Sequence, residues 1–580
     1  MKYKSLLTII FLLTISACGT GNEDSYFNQI LDDEWKRGID ENPVYASYMG
    51  DKSANQDWPD ISEQSVRKKQ KKAREVLDKI KSIDPQKLSK ENQLNYRLFL
   101  YNYERSVNSQ KFDSHLLTFG QRGGIQLGHE TAEGLNFTSS QDYKDWLVRL
   151  EKLPQLINAH IDLGKLGIER NITAPNILMQ RVAKQIQLQL VDDPEDSPFY
   201  NVFSAIPKTI NDREALQMKA KEVIKEKIVP AYQTLDFFFR TEYLPESRDT
   251  YGVSDLPNGY EWYENLAKYH TTTDLSPDEI HNIGLSEVKR IRFEMQEVID
   301  SLGFEGTFND FLIFLRTDPQ FYYETADELF EAYLATSKKI DPEMVRLFKV
   351  LPRTPYGIKP IPKESAPDTT TAYYMRPAAD GSRAGYYYVN LYRPEVRPKF
   401  EMEVLSVHEA VPGHHLQIAL AMELEGLPNF RKYSGYTAFV EGWGLYSERL
   451  GYDLGLYKDP YSKFGQLTYD MWRAIRLVVD TGMHYFDWSR QDAINYFLDN
   501  SAKTKQDVMN EVDRYINWPG QALAYKIGQL KILELRAKAE AELGDRFNIK
   551  DFHHEVLKRG ALPLDILEEY IIQWVEEESD

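Results

Sequence analysis

The stretch Val407-His408-Glu409-Ala410-Val411-Pro412-Gly413-His414-His415 gathers three of the chain's 11 histidines beside a carboxylate. A second acidic segment, Phe439-Val440-Glu441-Gly442-Trp443, follows downstream. Imidazole nitrogens and a carboxylate oxygen are the donors a catalytic zinc ion takes, with one position left for water. A glutamate next to the first histidine stands where it can accept a proton from that water. These residue types point to metal-dependent hydrolysis, with Zn2+ as cofactor and a peptide or amide as substrate.

The spacing departs from the common H-E-x-x-H pattern. There the histidines lie four apart, and four residues rise about 6 Å and turn about 400°, so both rings face one ion. Here His414 follows His408 by six residues and His415 follows by seven. Seven residues return to the same face but about 10.5 Å along the axis, too far for two bonds of roughly 2.0–2.1 Å to one metal. A straight helix therefore fails for either pair. Pro412 lacks an N–H and disfavours helical geometry at Val411, and Gly413 tolerates unusual dihedrals, so a Pro-Gly bulge could absorb the extra residues. Such a bulge favours the nearer residue, His414, over His415. The alternative is a helix, a Pro-Gly turn and two surface histidines, and spacing leaves both open.

The elements that must position these residues have mostly helical period. Ser276 and Glu279 form a capping box with Pro277 at the first helical position, and Ile280, Val288, Ile291, Met295, Val298 and Leu302 recur along one face up to Gly303. Further helices are expected over Gln64–Ile83, over Gln521–Leu543 ahead of Gly544, and from Pro563. His281, His553 and His554 read as structural. Leu351 to Pro377 reads as irregular, whereas Ala384–Leu391 is dense in aromatic and β-forming residues and reads as a strand. That strand, through Tyr388 and Asn390, could take a peptide as an extra strand; the other reading is a covered edge strand without a ligand.

The first residues form a targeting segment. Lys2 and Lys4 precede the apolar run Leu6–Ile15, which is too short to span a bilayer, and Ile15-Ser16-Ala17-Cys18 matches a bacterial lipobox. Cys18 is the chain's single cysteine, so no intrachain disulfide is possible. The expected division is a lipoprotein signal peptide over 1–17, a tether over 18–25, and a helical catalytic domain over 26–580, with lobes 26–270 and 271–580. A cleaved secretory signal with an incidental cysteine is the alternative. Lipidation at Cys18 would place the protein in the cell envelope, and Gly19 after it resembles outer-membrane sorting signals, here facing the periplasm. A net charge of -19 argues against nucleic acid or an anionic membrane surface as partner, leaving the lipid anchor as the one membrane contact.

Several longer motifs carry a family resemblance. His408 to Gln417 with Glu441-Gly442-Trp443, Ala366-Pro367-Asp368-Thr369-Thr370-Thr371-Ala372-Tyr373-Tyr374, Tyr387-Tyr388-Val389-Asn390-Leu391, Asp480-Thr481-Gly482-Met483-His484, Arg514-Tyr515 and Trp518 to Lys526 resemble the bacterial lipoprotein family labelled domain of unknown function 885. That family looks like a distant relative of helical gluzincin peptidases. The resemblance implies a mainly α, large two-lobed helical body around a deep cleft, with a small β-sheet near the metal site. Carried over, His408, His414 and Glu441 would be the metal ligands and Glu409 the general base. Glu448, two turns beyond Glu441, would orient a ligand histidine or be a surface acid. His484 and Tyr525 are candidates to donate to the developing oxyanion, with a core tyrosine the other reading of Tyr525, and Arg514 and Lys526 could pair with a peptide carboxylate or, equally, in surface or intrahelical pairs. Two rivals share these features: a cell-wall amidase, and a lipid-anchored peptide-binding protein with a silent metal site.

Overall fold

The computed structural model describes residues 20–362, 366, 370–379, 381, 383–433 and 435–579. The leader, Cys18 and residues Pro367 to Thr369 of the resemblance motif lie outside the described residues. The fold is a mainly helical, two-lobed body with a small β-sheet and a cleft between its helices. The first helix spans Thr20–Glu41, so the backbone is already helical through most of the stretch read as a tether.

The elements that matter for the cleft are, in chain order, α1 (Pro277–Ser301), strands β1 (Tyr356–Pro360), β2 (Ala372–Met375) and β3 (Gly385–Val389), then α2 (Met402–Glu409), α3 (His414–Glu423), α4 (Thr437–Asp453), α5 (Pro460–Tyr485), α6 (Lys505–Asn517) and α7 (Ala524–Leu543). The capping box at Ser276 and Glu279 is formed as the sequence suggests, and Gly303 takes the left-handed backbone that stops α1.

Two tight helix crossings frame the site. Gly284 of α1 lies against α5, where an added Cβ would stand 2.7 Å from Leu477 Cβ. Gly442 of α4 meets Gly528 of α7 so closely that a Cβ on Gly442 would lie 2.5 Å from Gly528 Cα. The helices approach this far because neither residue has a side chain at the contact. Trp443 and Tyr446 bury fully beside this crossing with Phe439 and Leu450, forming a core with Ile532 and Leu535 of α7.

The sheet has the order β1-β3-β2, parallel between β1 and β3 and antiparallel between β3 and β2. Gly385, Tyr387 and Val389 bury while Tyr386 and Tyr388 are half-buried, the period of two expected of a strand. β3 is therefore the central strand and has no free edge for a peptide. The segment read as irregular supplies both outer strands, because its aromatic and β-branched residues pair with β3 between the prolines.

Candidate active site

α2 ends at Glu409, and α3 starts afresh at His414. Ala410 (φ -97°, ψ -111°) and Gly413 (φ -73°, ψ -129°) leave helical geometry between them. A Cβ on Gly413 would lie 1.8 Å from the His408 carbonyl oxygen, so this reversal is open to glycine alone. The Trp443 indole N–H donates to the Pro412 carbonyl at 2.8 Å and pins the reversal to α4.

This geometry swings His414 back beside His408. The two rings stand at 88° with centroids 4.8 Å apart. His414 Nε2 lies 3.4 Å and His408 Nε2 4.0 Å from Glu441 Oε2 on α4. The ligand atoms of His408, His414 and Glu441 all fall within 4.8 Å of one another. Two neutral-nitrogen donors and one carboxylate, converging at spacings that bonds of roughly 2.0–2.2 Å can bridge, make a donor set that fits zinc. Gly444 leaves room for it: a Cβ there would stand 2.9 Å from His408 Cε1 and 3.2 Å from His414 Cε1.

The surroundings orient these donors. His408 Nδ1 lies 2.8 Å from Glu448 Oε1, and Glu448 is fully buried. A proton on Nδ1 in that hydrogen bond leaves the Nε2 lone pair directed at the cluster. Arg473 stands 3.6 Å from the same Glu448 oxygen. Burial, followed by the neighbouring His414, holds His408 well below the usual histidine range. For His414, burial is outweighed by the hydrogen bond with Glu441, which leaves its ring more basic than usual. Burial pushes the Glu409 carboxyl up to about 7. The nearby Tyr374 backbone N–H of β2 opposes that rise. Since the Asn390 N–H donates to the Thr371 carbonyl at 3.0 Å, alternation along β2 turns the backbone groups of Ala372 and Tyr374 away from β3 and toward the cleft.

The cleft has a volume of about 620 Å³. Its floor carries His408, Glu409, His414 and Glu441, one wall is the strand segment 370–374, and the other wall comes from α5, α6 and the start of α7.

The family described as bacterial protein of unknown function (DUF885) matches residues 43–571. The chain belongs to this family. It is also similar to the crystal structure of a candidate lipoprotein from Colwellia psychrerythraea, with 28% identity, a TM-score of 0.89, and coverage of 96% of this chain and 99% of that one. A candidate lipoprotein of unknown function from Shewanella oneidensis shares the fold at 16% identity and a TM-score of 0.74, over 94% of this chain and 99% of that one. No curated protein matches the chain significantly.

Within this DUF885 member the sequence-derived residues divide. His408, Glu409, His414, Glu441, Arg514 and Tyr525 line one cleft. Tyr525 on α7 receives a hydrogen bond from Arg514 at 3.2 Å. The picture of two surface histidines is excluded, because His414 and His415 are both buried. His415 turns away from the cluster: its Nδ1 meets the Tyr374 hydroxyl at 2.8 Å and its Nε2 the Thr354 carbonyl at 3.1 Å.

Four others are not brought to the cleft. His484 is fully buried, accepts from the Val253 N–H at 3.1 Å on Nδ1, and lies 3.0 Å from the Tyr515 carbonyl on Nε2, so neither nitrogen is left for a substrate. Lys526, fully buried, pairs with Asp470 at 2.7 Å and Glu287 at 2.8 Å, tying α7 to α5 and α1. Asn390 donates to the carbonyls of Ala366 and Thr370 at 2.8 and 3.1 Å and shapes the chain before β2. Tyr388 stacks on Tyr373, ring centroids 4.9 Å apart. For His484, Lys526 and Asn390 a polar side chain of a motif was satisfied by partners distant in sequence, and for Tyr388 the ring was taken up by stacking.

Residues not singled out from the sequence also line the cleft, among them Arg122, Arg473, Arg476, Glu511 and Trp472. Arg473 and Arg476, three apart in α5 and interleaved with Trp472, Ala474, Ile475 and Leu477, were the available signal.

Proposed function

We propose that this protein is a zinc-dependent hydrolase of peptide bonds, with His408, His414 and Glu441 as metal ligands and Glu409 as general base. The observation that carries the reading is the convergence of those three ligand atoms beside the Glu409 carboxyl. Zinc bound there would acidify a water and polarise the substrate carbonyl. Glu409, its pKa raised by burial to about 7, accepts the proton of the attacking water and returns it to the leaving amine. Tyr525, with its hydroxyl oxygen engaged by Arg514, donates its own O–H toward the carbonyl oxygen as charge develops. The outer edge of β2, unpaired by any strand among the described residues, receives the substrate main chain through Ala372 and Tyr374, the role first assigned to the central strand. Arg514 meets a substrate carboxylate. Lipidation of Cys18 and a place in the cell envelope are supported by the lipobox and by the candidate lipoproteins of similar fold. No helix among the described residues is long and apolar enough to cross a membrane.

The test is metal content followed by turnover. Purified protein is expected to hold one zinc per chain. Glu409→Gln should keep that zinc while losing about 10²–10⁴-fold in turnover on a peptide mixture. Turnover retained by the variant would remove Glu409 as base, and wild-type protein with zinc but no hydrolysis would favour the silent binding site.

A further inference from the structure

The wall of the cleft beyond Tyr525 carries more positive charge than it can neutralise. Arg476 is 3% exposed. Its Nε donates to the Tyr515 hydroxyl at 3.0 Å and its Nη2 to Glu511 at 3.1 Å, while its buried Nη1 has no protein partner. Arg514 stands 3.6 Å from the same Glu511 oxygen. Arg122 lines the same cleft as Arg476, Arg514 and Glu511. Among the described residues Glu511 is the one carboxylate at ion-pair distance from Arg476 or Arg514. Burial would push Glu511 up, but Arg476 and Arg514 hold it down to about 2, so its single charge is already committed. On this wall three guanidiniums, with Arg476 buried, Arg514 half-buried and Arg122 exposed, stand against one carboxylate, a local cationic excess separate from Glu409 and Glu441 on the cleft floor. Confined like charges are costly unless an anion completes them, and a buried guanidinium corner without a partner is a ready donor to a carboxylate oxygen.

We propose that Arg122, Arg476 and Arg514 form a cradle for the free C-terminal carboxylate of a peptide, so that the enzyme removes one or two residues from peptide C-termini. This rests on the peptidase reading above. Two observations place the anion near the reacting bond. Arg514 donates to the hydroxyl of Tyr525, and Arg476 and Arg514 line the same cleft as Glu441 and His414. A main chain lying along β2 therefore meets the arginines within a residue or two of the metal. Its terminal carboxylate is the one anion that every peptide carries there, whatever its side chains.

The experiment compares peptides with a free C-terminus against the same peptides as C-terminal amides, all acetylated at the N-terminus, with products read by mass spectrometry. Free acids should lose one or two C-terminal residues, and the amides should be cleaved roughly 10–100-fold less efficiently, the range for losing charge-assisted hydrogen bonds. Binding is measured separately by calorimetry on metal-stripped protein with tri-alanine and tri-alanine amide. The acid should bind at least about 10-fold more tightly, and Arg122→Ala, whose side chain is solvent-exposed and makes no ion pair among the described residues, should reduce that preference without loss of fold. Equal cleavage of acids and amides, with products cut internally, would overturn the cradle and leave the peptidase intact. Amides cleaved well only when they carry Asp or Glu would also overturn it, making the arginines readers of side chains. If no peptide is cleaved but tri-alanine binds with the stated preference, the cradle stands and the hydrolase reading fails.

Discussion

His414 and His415 are neighbours in the chain, yet their side chains serve separate sites. His414 faces Glu441, while His415 is held between Tyr374 and Thr354 with its basicity lowered by burial to about 4. The division follows from the backbone: α3 begins at His414 itself, so successive side chains diverge by about 100° around a new axis. We expect His414→Ala to abolish stoichiometric zinc binding. His415→Ala should keep the zinc and lose stability by about 1 kcal/mol, since it leaves a half-buried hydroxyl and a half-buried carbonyl without their partner. Zinc analysis and urea melts of the two variants check this, and zinc retained by His414→Ala would reverse the assignment. The same residue-scale logic separates Tyr525, which reaches the cleft, from His484, which does not.

At the scale of elements, the site depends on how closely α4 and α7 cross. Glu441 precedes Gly442, and Gly442 touches Gly528. A Cβ on Gly528 would come within 1.9 Å of the Ala438 carbonyl oxygen, which no rotamer change relieves because the clash is with backbone. Gly528→Val should therefore force the helices apart, cost about 3 kcal/mol, and weaken zinc binding by displacing Glu441 from the two histidines. Denaturation midpoint and zinc affinity should fall together. A variant with wild-type zinc affinity would show that Glu441 is positioned independently of the crossing. β2 is the second such element: its register on β3 decides which backbone groups face Glu409, and a one-residue slip would turn Tyr374 inward.

Across the whole molecule, buried polar residues tie distant segments together. Lys526 joins α7 to α5 and α1, and His484 links α5 to the loop at Val253 and to α6 at Tyr515. Burial lowers His484 to about 3. Below the ordinary value near 6.5 the unfolded chain binds a proton there that the folded chain refuses, so the stability this group contributes is complete above pH 6.5 and is lost as the pH falls toward 3. His484→Gln should leave turnover nearly unchanged and lower stability at pH 7.5. Its deficit against wild type should shrink by about 1 kcal/mol between pH 6.5 and 5.5. Urea melts at the three pH values test this, and a constant deficit, or a large loss of turnover, would contradict a structural role.

The sequence by itself determined the candidate ligand set and the class of fold. Donor types in the His408–His415 stretch, the carboxylate beside the first of them, the capping box at Ser276 and the helical periods were all legible, because ligand chemistry and local helix signals reside in the residues and their near neighbours. Proline and glycine in the His408–His415 stretch even located the break between α2 and α3. Tertiary structure alone decided the rest. Glu441 reaches His414 because two glycines let α4 and α7 touch, and the second of them, Gly528, carries no local signal of that contact. His484 and Lys526 sit beside family motifs yet are consumed by partners more than twenty residues away, and the cleft's arginines come from segments as distant as Arg122 and Arg514. Which polar groups end in a cleft and which are sealed into a core is set by long-range packing, since burial and hydrogen-bond satisfaction are properties of the assembled surroundings rather than of the residue.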